Sequence, residues 1–228
     1  MSASLSYARL VARDGRAGAA RSGSALTRER ILEVAGELVR GDGAPVLSMR
    51  TLGSRLGVTP MAIYRHYAGR DELLVALLDA EFAEVDWPAL PEPGAERAVE
   101  VLLMLHRELT DRPWVLDALT RGDLMAPSAA RATDDVLESL LVAGCSSEQA
   151  AQRYSAAWRL ILGAALLDAR TARAKRGLDR PTVQETVRRD AAANGFAALA
   201  ACGSALAAQR ERFDIRASLV LIVYGAKQ

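Results

Sequence analysis

Residues 51–67, reading TLGSRLGVTPMAIYRHY, restrict the folds open to this chain more tightly than any other stretch. Leu52 and Leu56 fall on one side of a short helical pattern, with Arg50, Ser54 and Arg55 largely on the other. Ser48 stands where it can cap that helix, and Gly57 supplies a tight turn. Thr59 then takes the capping position of a next helix. Pro60 occupies the first helical position, where a missing N–H costs nothing. That helix is expected to run from Pro60 to about Tyr67. Upstream, Thr27 caps a supporting helix with Glu29 in its first turn, and Ile31, Leu32, Ala35, Leu38 and Val39 form its apolar face. Gly41 or Gly43 in RGDGAP ends it. Two short helices joined by a glycine turn and backed by a third make a helix-turn-helix pattern.

The outward side of the third helix is unusual. Pro60, Ile63 and Tyr67 recur at i, i+3 and i+7 and are expected to face the small core. This leaves Met61, Ala62, Tyr64, Arg65 and His66 outside. Aromatic residues are only 5% of the chain and there are two histidines, so this clustering is not a product of composition. Residues 45–70 contain Arg50, Arg55, Arg65 and Arg70 and no Asp or Glu, whereas both flanking segments are acidic. Net charge is only +1, so affinity for a polyanion must come from a local patch such as this one. A surface free of acids is what a phosphate backbone requires.

Beyond this window the periodicity stays helical and no alternating strand of useful length emerges, so the expected fold class is all-α. Three regions follow: a disordered basic arm at 1–25, a helix-turn-helix domain at 26–70, and a helical domain at 71–228. Asp71 is expected to cap a helix over 72–82, and the proline-rich VDWPALPEPGAE marks a junction. Helical segments are expected around 96–110, 114–120 and 128–143. Ser146 and Gln149 form a capping box opening a long helix to about Ala174. The basic ARAKRGLDRP reads as a mobile loop. A second capping box, TVQE at 182–185, precedes an alanine-rich helix, and the last helix covers 215–224. SLVLIVY in that helix is too apolar all round for a solvent-facing element, so it is a core helix, half of a dimer seam, or both.

Several function classes are excluded by pattern. Cys145 and Cys202 have neither metal-ligand spacing nor a disulfide framework, and no cofactor or metal is expected. The chain lacks His-Glu-x-x-His, Gly-x-Ser-x-Gly, P-loop and Gly-x-Gly-x-x-Gly motifs, so an enzyme is not expected. No apolar run of about 18 residues exists and the N-terminus lacks a signal core, giving an expected cytoplasmic location without membrane contact. The arm carries Arg9, Arg13, Arg16 and Arg21 against Asp14. It is either a leader without a role or a basic tail adding phosphate contacts.

TRERILEVAGELVRGDGAPVLSMRTLGSRLGVTPMAIYRHYAGRDELLVALLDA resembles the DNA-binding domain of the tetracycline-repressor (TetR) family of bacterial transcription regulators, densely over residues 26–85. Looser likeness extends to LHRELTDRPWVLDALT, the segment through YSAAWRLILGAALLDA, and RFDIRASLVLIVYG, which resemble a tetracycline-repressor-like ligand-binding and dimerisation domain. The resemblance implies a regulator, most simply a repressor, that binds a palindromic operator as a homodimer and is released by a small-molecule effector. The alternative is a DNA-binding regulator without such a ligand, controlled by a protein or acting as an activator. It implies that Arg50 reads a base edge and that Pro60, Met61 and Ala62 enter the major groove. Tyr64 and His66 would touch phosphates, with Thr27, Ser48 and Thr59 offering hydroxyls and helix N-termini to the backbone. Arg70 would bind a phosphate. Arg65 stands where the name-giving repressor has a bulky aromatic, so the operator sequence does not transfer. The long helix near 147–174 and the helix at 215–224 would form the homodimer interface. Effector-binding candidates are His106, the one ionisable group on an apolar face, with Trp114, Met125, Tyr154, Trp158 and Arg159.

Overall fold

A computed structural model describes residues 26–120, 124–175, 183–211 and 213–225. The described residues contain eleven α-helices and no strand. Helix α1 (Arg28–Asp42), a 3₁₀ turn (Ala44–Val46), α2 (Met49–Leu56), α3 (Pro60–Tyr64) and α4 (Arg70–Ala83) come first. Then follow α5 (Ala95–Asp111), α6 (Pro113–Leu119), α7 (Pro127–Val142), α8 (Ser147–Lys175), α9 (Val183–Arg189), α10 (Ala197–Glu211) and α11 (Ile215–Tyr224).

The caps follow from local chemistry. Thr27 Oγ1 accepts from Arg30 N at 3.1 Å, satisfying one of the first-turn N–H groups that no helix can pair internally. At the start of α8 the box is reciprocal: Ser146 N donates to Gln149 Oε1 at 2.9 Å and Gln149 N to Ser146 Oγ at 3.2 Å. Asp214 caps α11 through Ala217 N at 3.0 Å.

Four boundaries differ from those expected. Helix α3 stops at Tyr64 and not near Tyr67, because His66 N and Tyr67 N both return to the Ile63 carbonyl, at 2.8 and 3.1 Å, and exhaust the ladder. Helix α4 begins at Arg70 with Gly69 at the capping position, so Asp71 lies in the first turn. No side chain caps this helix; Glu72 instead reaches back, its Oε2 accepting from Ala68 N in the turn before it. The alanine-rich region after 182 is split into α9 and α10 at Gly195, whose φ of 76° suits glycine, while Phe196 N returns to Ala191 O at 2.8 Å. Helix α8 continues through Lys175 into the expected basic loop. The rest of that loop, Thr182 of the second capping box and the arm at 1–25 lie outside the described residues.

One buried apolar cluster runs from Ile31, Leu52 and Ile63 through Leu73, Leu74 and Leu78 to Leu102, Leu140, Ile161 and Leu219. Helix α4 is the bridge: it packs on α1 and on α7. A second bridge is α6 against the 3₁₀ turn. Helices α5, α7, α8 and α11 pack on one another as the body, whereas α9 and α10 pack together as a hairpin whose described residues lie outside the continuous core.

Candidate nucleic-acid interface and effector region

The reading head is set by how closely α2 and α3 cross. A Cβ built on Gly53 would lie 2.8 Å from the Val58 carbonyl oxygen and 3.5 Å from Pro60 N. The turn folds back onto α2 at that point, with Val58 N donating to Gly53 O at 3.0 Å. Gly57, at φ 67°, closes α2 in the left-handed conformation. No local sequence signal points to Gly53, since its role depends on a neighbouring backbone atom.

The third helix buries Ile63, and Tyr67 is buried just beyond it. Pro60, expected on the same core stripe, is instead exposed: it sits over Gly53 at the rim, where a helix of only five residues begins its first turn. Met61 is 70% exposed and Tyr64 46%, large values for an apolar and an aromatic side chain on a small domain. Arg50, Thr59 and Arg65 are also exposed, Ala62 and His66 partly so. Arg50 makes no ion pair among the described residues, leaving its fork available. Ser48 Oγ accepts from Thr51 N at 3.0 Å and lies 2.7 Å from Thr51 Oγ1. Thr59 makes no side-chain capping bond, so its hydroxyl remains available while its carbonyl accepts from Ala62 N at 3.0 Å.

Arg70, expected to bind a phosphate, is also bonded within the fold. Its Nε donates to Leu47 O at 2.9 Å and its Nη2 to Ala44 O at 3.0 Å, tying the start of α4 to the 3₁₀ turn. Arg28 does comparable work on the other side. Its guanidinium lies 4.1 Å from the centre of the Tyr67 ring, donates to the His66 carbonyl and pairs with Glu72 Oε1 at 3.1 Å. Tyr67 Oη donates back to Arg28 O at 3.3 Å. Residues 66–68, leaving α3, are thereby pinned to the first turn of α1. No local sequence signal points to Arg28, because its partners lie about 40 positions away.

The head is linked to the body by charge as well as packing. Glu81 on α4 accepts from Arg40 of α1 and from Arg112 Nε at 3.2 Å, and Arg112 also pairs with Glu108. Asp79 accepts from Ser128 N at 2.7 Å at the start of α7.

Of the effector candidates, Trp114 is 5% exposed and His106 half-buried. Trp114 Nε1 and His106 Nε2 are buried polar atoms without a hydrogen-bond partner. Burial holds the His106 imidazole below its ordinary pKa; Asp168 opposes that shift and Arg107 adds to it. Tyr154 Oη lies 2.8 Å from Thr133 Oγ1, and burial raises its pKa. Trp158 is partly buried on the same helix as Tyr154. Met125 is 63% exposed and Arg159 is exposed, its Nη1 reaching only Ser155 O at 3.4 Å, so neither joins the interior group. Among the described residues no His, Cys, Asp and Glu cluster could hold a metal, and no helix is long and apolar enough to cross a membrane.

An all-α fold with an exposed, acid-free pair of helices, α2 and α3, at one end and a helical body at the other defines a DNA-binding regulator architecture. Residues 31–77 match the family described as bacterial regulatory proteins, tetR family. Residues 31–77 thus carry a match to this family, and most of the chain has the fold of solved TetR-family proteins. A curated HTH-type transcriptional regulator of Saccharopolyspora erythraea is 33% identical over 120 residues, 52% of this chain and 51% of that one. The repressor DrrR1 of Streptomyces coeruleorubidus is 32% identical over 117 residues, 49% of this chain and 42% of its own. The chain thus spans about half the length of these curated relatives. Among solved structures, the Streptomyces coelicolor TetR-family protein ActR in complex with actinorhodin aligns with a TM-score of 0.71 at 23% identity, over 89% of this chain and 96% of that one. The Streptomyces coelicolor regulator SCO7222 aligns with a TM-score of 0.60 at 28% identity, over 88% and 97%.

Proposed function

We propose that the protein is a transcriptional repressor that binds a palindromic operator as a homodimer and is released by a small-molecule effector, with residues 26–70 reading DNA and 71–228 binding effector and partner. The observation that carries this reading is the exposed, acid-free face bearing Arg50, Met61, Tyr64 and Arg65. On this reading Arg50 donates two bonds to a guanine O6 and N7, while Met61 and Ala62 meet a thymine methyl. Tyr64, His66 and the hydroxyl of Thr59 take phosphates, and the N-termini capped by Thr27 and Ser48 add backbone N–H donors. Arg70 fixes the geometry of the head from behind.

Dimerisation is supported by apolar side chains left exposed on the two helices implied for the seam. Leu221 is 71% exposed and Tyr224 56% on α11, and Leu167 is 64% exposed on α8. Two reading helices about 34 Å apart cover enough base pairs for useful specificity, which one alone does not. An effector that prefers a different angle of α4 shifts the separation of the heads. Asp79 and Glu81 are the links through which α4 feels α7 and the α5–α6 corner. A coupling of about 1–3 kcal/mol would suffice for regulation. That reading agrees with ActR having been solved with actinorhodin and with the repressor named among the relatives.

The test is operator retention in a gel by Arg50→Ala combined with Tyr64→Ala. Loss of retention, with the far-UV spectrum and melting temperature unchanged, is the expected result. Undiminished retention by a folded double variant would refute DNA reading by this face.

A further inference from the structure

Helix α3 has only five residues, and a helix of that length does not hold its own direction. Its entry is fixed by the close approach of Val58 to Gly53. Its exit is fixed from outside, by one arginine and one glutamate. Residue 66 is held at both ends of its backbone: His66 N donates to Ile63 O at 2.8 Å, and His66 O accepts from Arg28 Nη1. At the next residue the Arg28 guanidinium lies 4.1 Å from the Tyr67 ring centre, and Tyr67 Oη donates to Arg28 O at 3.3 Å. Ala68 N donates to Glu72 Oε2, while Glu72 Oε1 accepts from Arg28 Nη2 at 3.1 Å. Both terminal nitrogens of Arg28 are therefore engaged within the fold, and no bidentate fork is left for a phosphate. The Arg28 and Glu72 side chains are 51% and 42% exposed, so the ion pair contributes little to stability on its own. What it does determine is where residues 66–68 stand.

Resting on the DNA-reading function above, we infer that Arg28, paired with Glu72, is a positioning residue for operator recognition: it sets the spacing between the start of α1 and the exit of α3 without touching DNA itself. Thr27 in the first element and His66 in the second are both assigned to phosphates; Arg28 follows the one directly and holds the backbone of the other. The pair also settles a question of charge. Glu72 comes two positions after the acid-free stretch 45–70, and its carboxylate is bonded to Arg28 and Ala68 N. Lysine does not replace this arginine. An ammonium is a point charge, without a planar fork to bridge His66 O and Glu72 or to stack on Tyr67. Removing the glutamate separates two causes. Loss of an acid beside DNA strengthens binding to every duplex, whereas loss of the clamp weakens binding only to the duplex that needs the fixed geometry.

The test uses the full chain and two fluorescently labelled duplexes: one that the unaltered chain enriches from random-sequence DNA, and a scramble of equal length and composition. Affinities of Arg28→Lys, Arg28→Gln and Glu72→Ala are read by anisotropy over a range of salt, with melting curves showing that each variant is folded at the assay temperature. Each is expected to lose about 10-fold in affinity for the selected duplex, the worth of one charge-assisted hydrogen bond. Affinity for the scramble should be unchanged in Arg28→Lys and unchanged or higher in Glu72→Ala. The slope of log affinity against log salt should stay that of the unaltered chain in Arg28→Gln, because no phosphate contact is lost. If the Arg28 variants fail to fold, Glu72→Ala still decides by its opposite signs on the two duplexes. Full affinity in Arg28→Lys, a salt slope smaller by about 1 in Arg28→Gln, or tighter binding of both duplexes by Glu72→Ala would overturn the inference while leaving DNA reading intact. Failure of the unaltered chain to enrich any duplex would sink the DNA reading itself and the inference with it, a result seen before any variant is made.

Discussion

Gly53→Ala isolates the close crossing of α2 and α3. Gly53 lies inside α2, where alanine is intrinsically favoured by about 1 kcal/mol, so a reading from helix propensity alone predicts a more stable protein. The structure predicts the opposite sign. The new methyl would stand 2.8 Å from the Val58 carbonyl oxygen, and that atom belongs to backbone held by the Val58 N–Gly53 O bond of 3.0 Å. No side-chain rotation relieves the clash; the turn itself must move. Overpacking of this kind costs about 1–3 kcal/mol, and a rigid opponent places it in the upper part of that range. The net expectation is a destabilisation of about 1–2 kcal/mol, or roughly 2–8 °C in melting temperature for a chain of this size. Gly41→Ala is the control: Gly41 is also helical, exposed, and has nothing within 4 Å of the added Cβ. It should be neutral or stabilising by up to about 1 kcal/mol. Urea denaturation of both variants, read by circular dichroism, gives the comparison. Equal stabilisation by the two alanines would show that the α2–α3 crossing is not as tight as described.

Two further outcomes follow from the body of the protein. Glu81→Gln leaves the Arg40 and Arg112 guanidinium groups without their shared carboxylate at a site where Glu81 is 18% exposed. It should cost about 1–3 kcal/mol in urea denaturation, and a change under about 0.5 kcal/mol would remove the head-to-body link from the account. His106 gives a pH dependence. Burial lowers its folded pKa below the unfolded value, so the unfolded chain binds the extra proton first and stability falls as pH drops below about 6.5. Asp168 and Arg107 act on the imidazole in opposite directions. His106→Gln should flatten the stability profile as pH falls below about 6.5, measured by denaturation at fixed ionic strength; identical profiles would refute the assignment.

The all-α class and nearly every helix were legible in sequence because caps and apolar periodicity are local. Ser146 with Gln149 and the glycines at 43 and 57 act within a few residues of themselves. What stayed hidden depends on distant partners. Arg70 looks like any exposed arginine until Leu47 and Ala44 turn their carbonyls toward it. Arg28 reaches His66 and Glu72, and Gly53 is needed only because Val58 folds back onto it. Pro60 fits an i, i+3, i+7 stripe, yet a five-residue helix has no room to bury its first turn. In the body, side-chain type alone did not separate the buried Trp114 from the exposed Met125. Burial is a property of the assembled helices.

Enrichment of duplexes from random-sequence DNA by the full chain, at moderate salt, tests the central claim most directly. The account predicts an inverted repeat whose half-site centres lie about one helical turn or a whole multiple apart, with enrichment abolished in Arg50→Ala and Tyr64→Ala combined. Recovery of unrelated sequences, or of a single unrepeated half-site bound equally by the double variant, would contradict it.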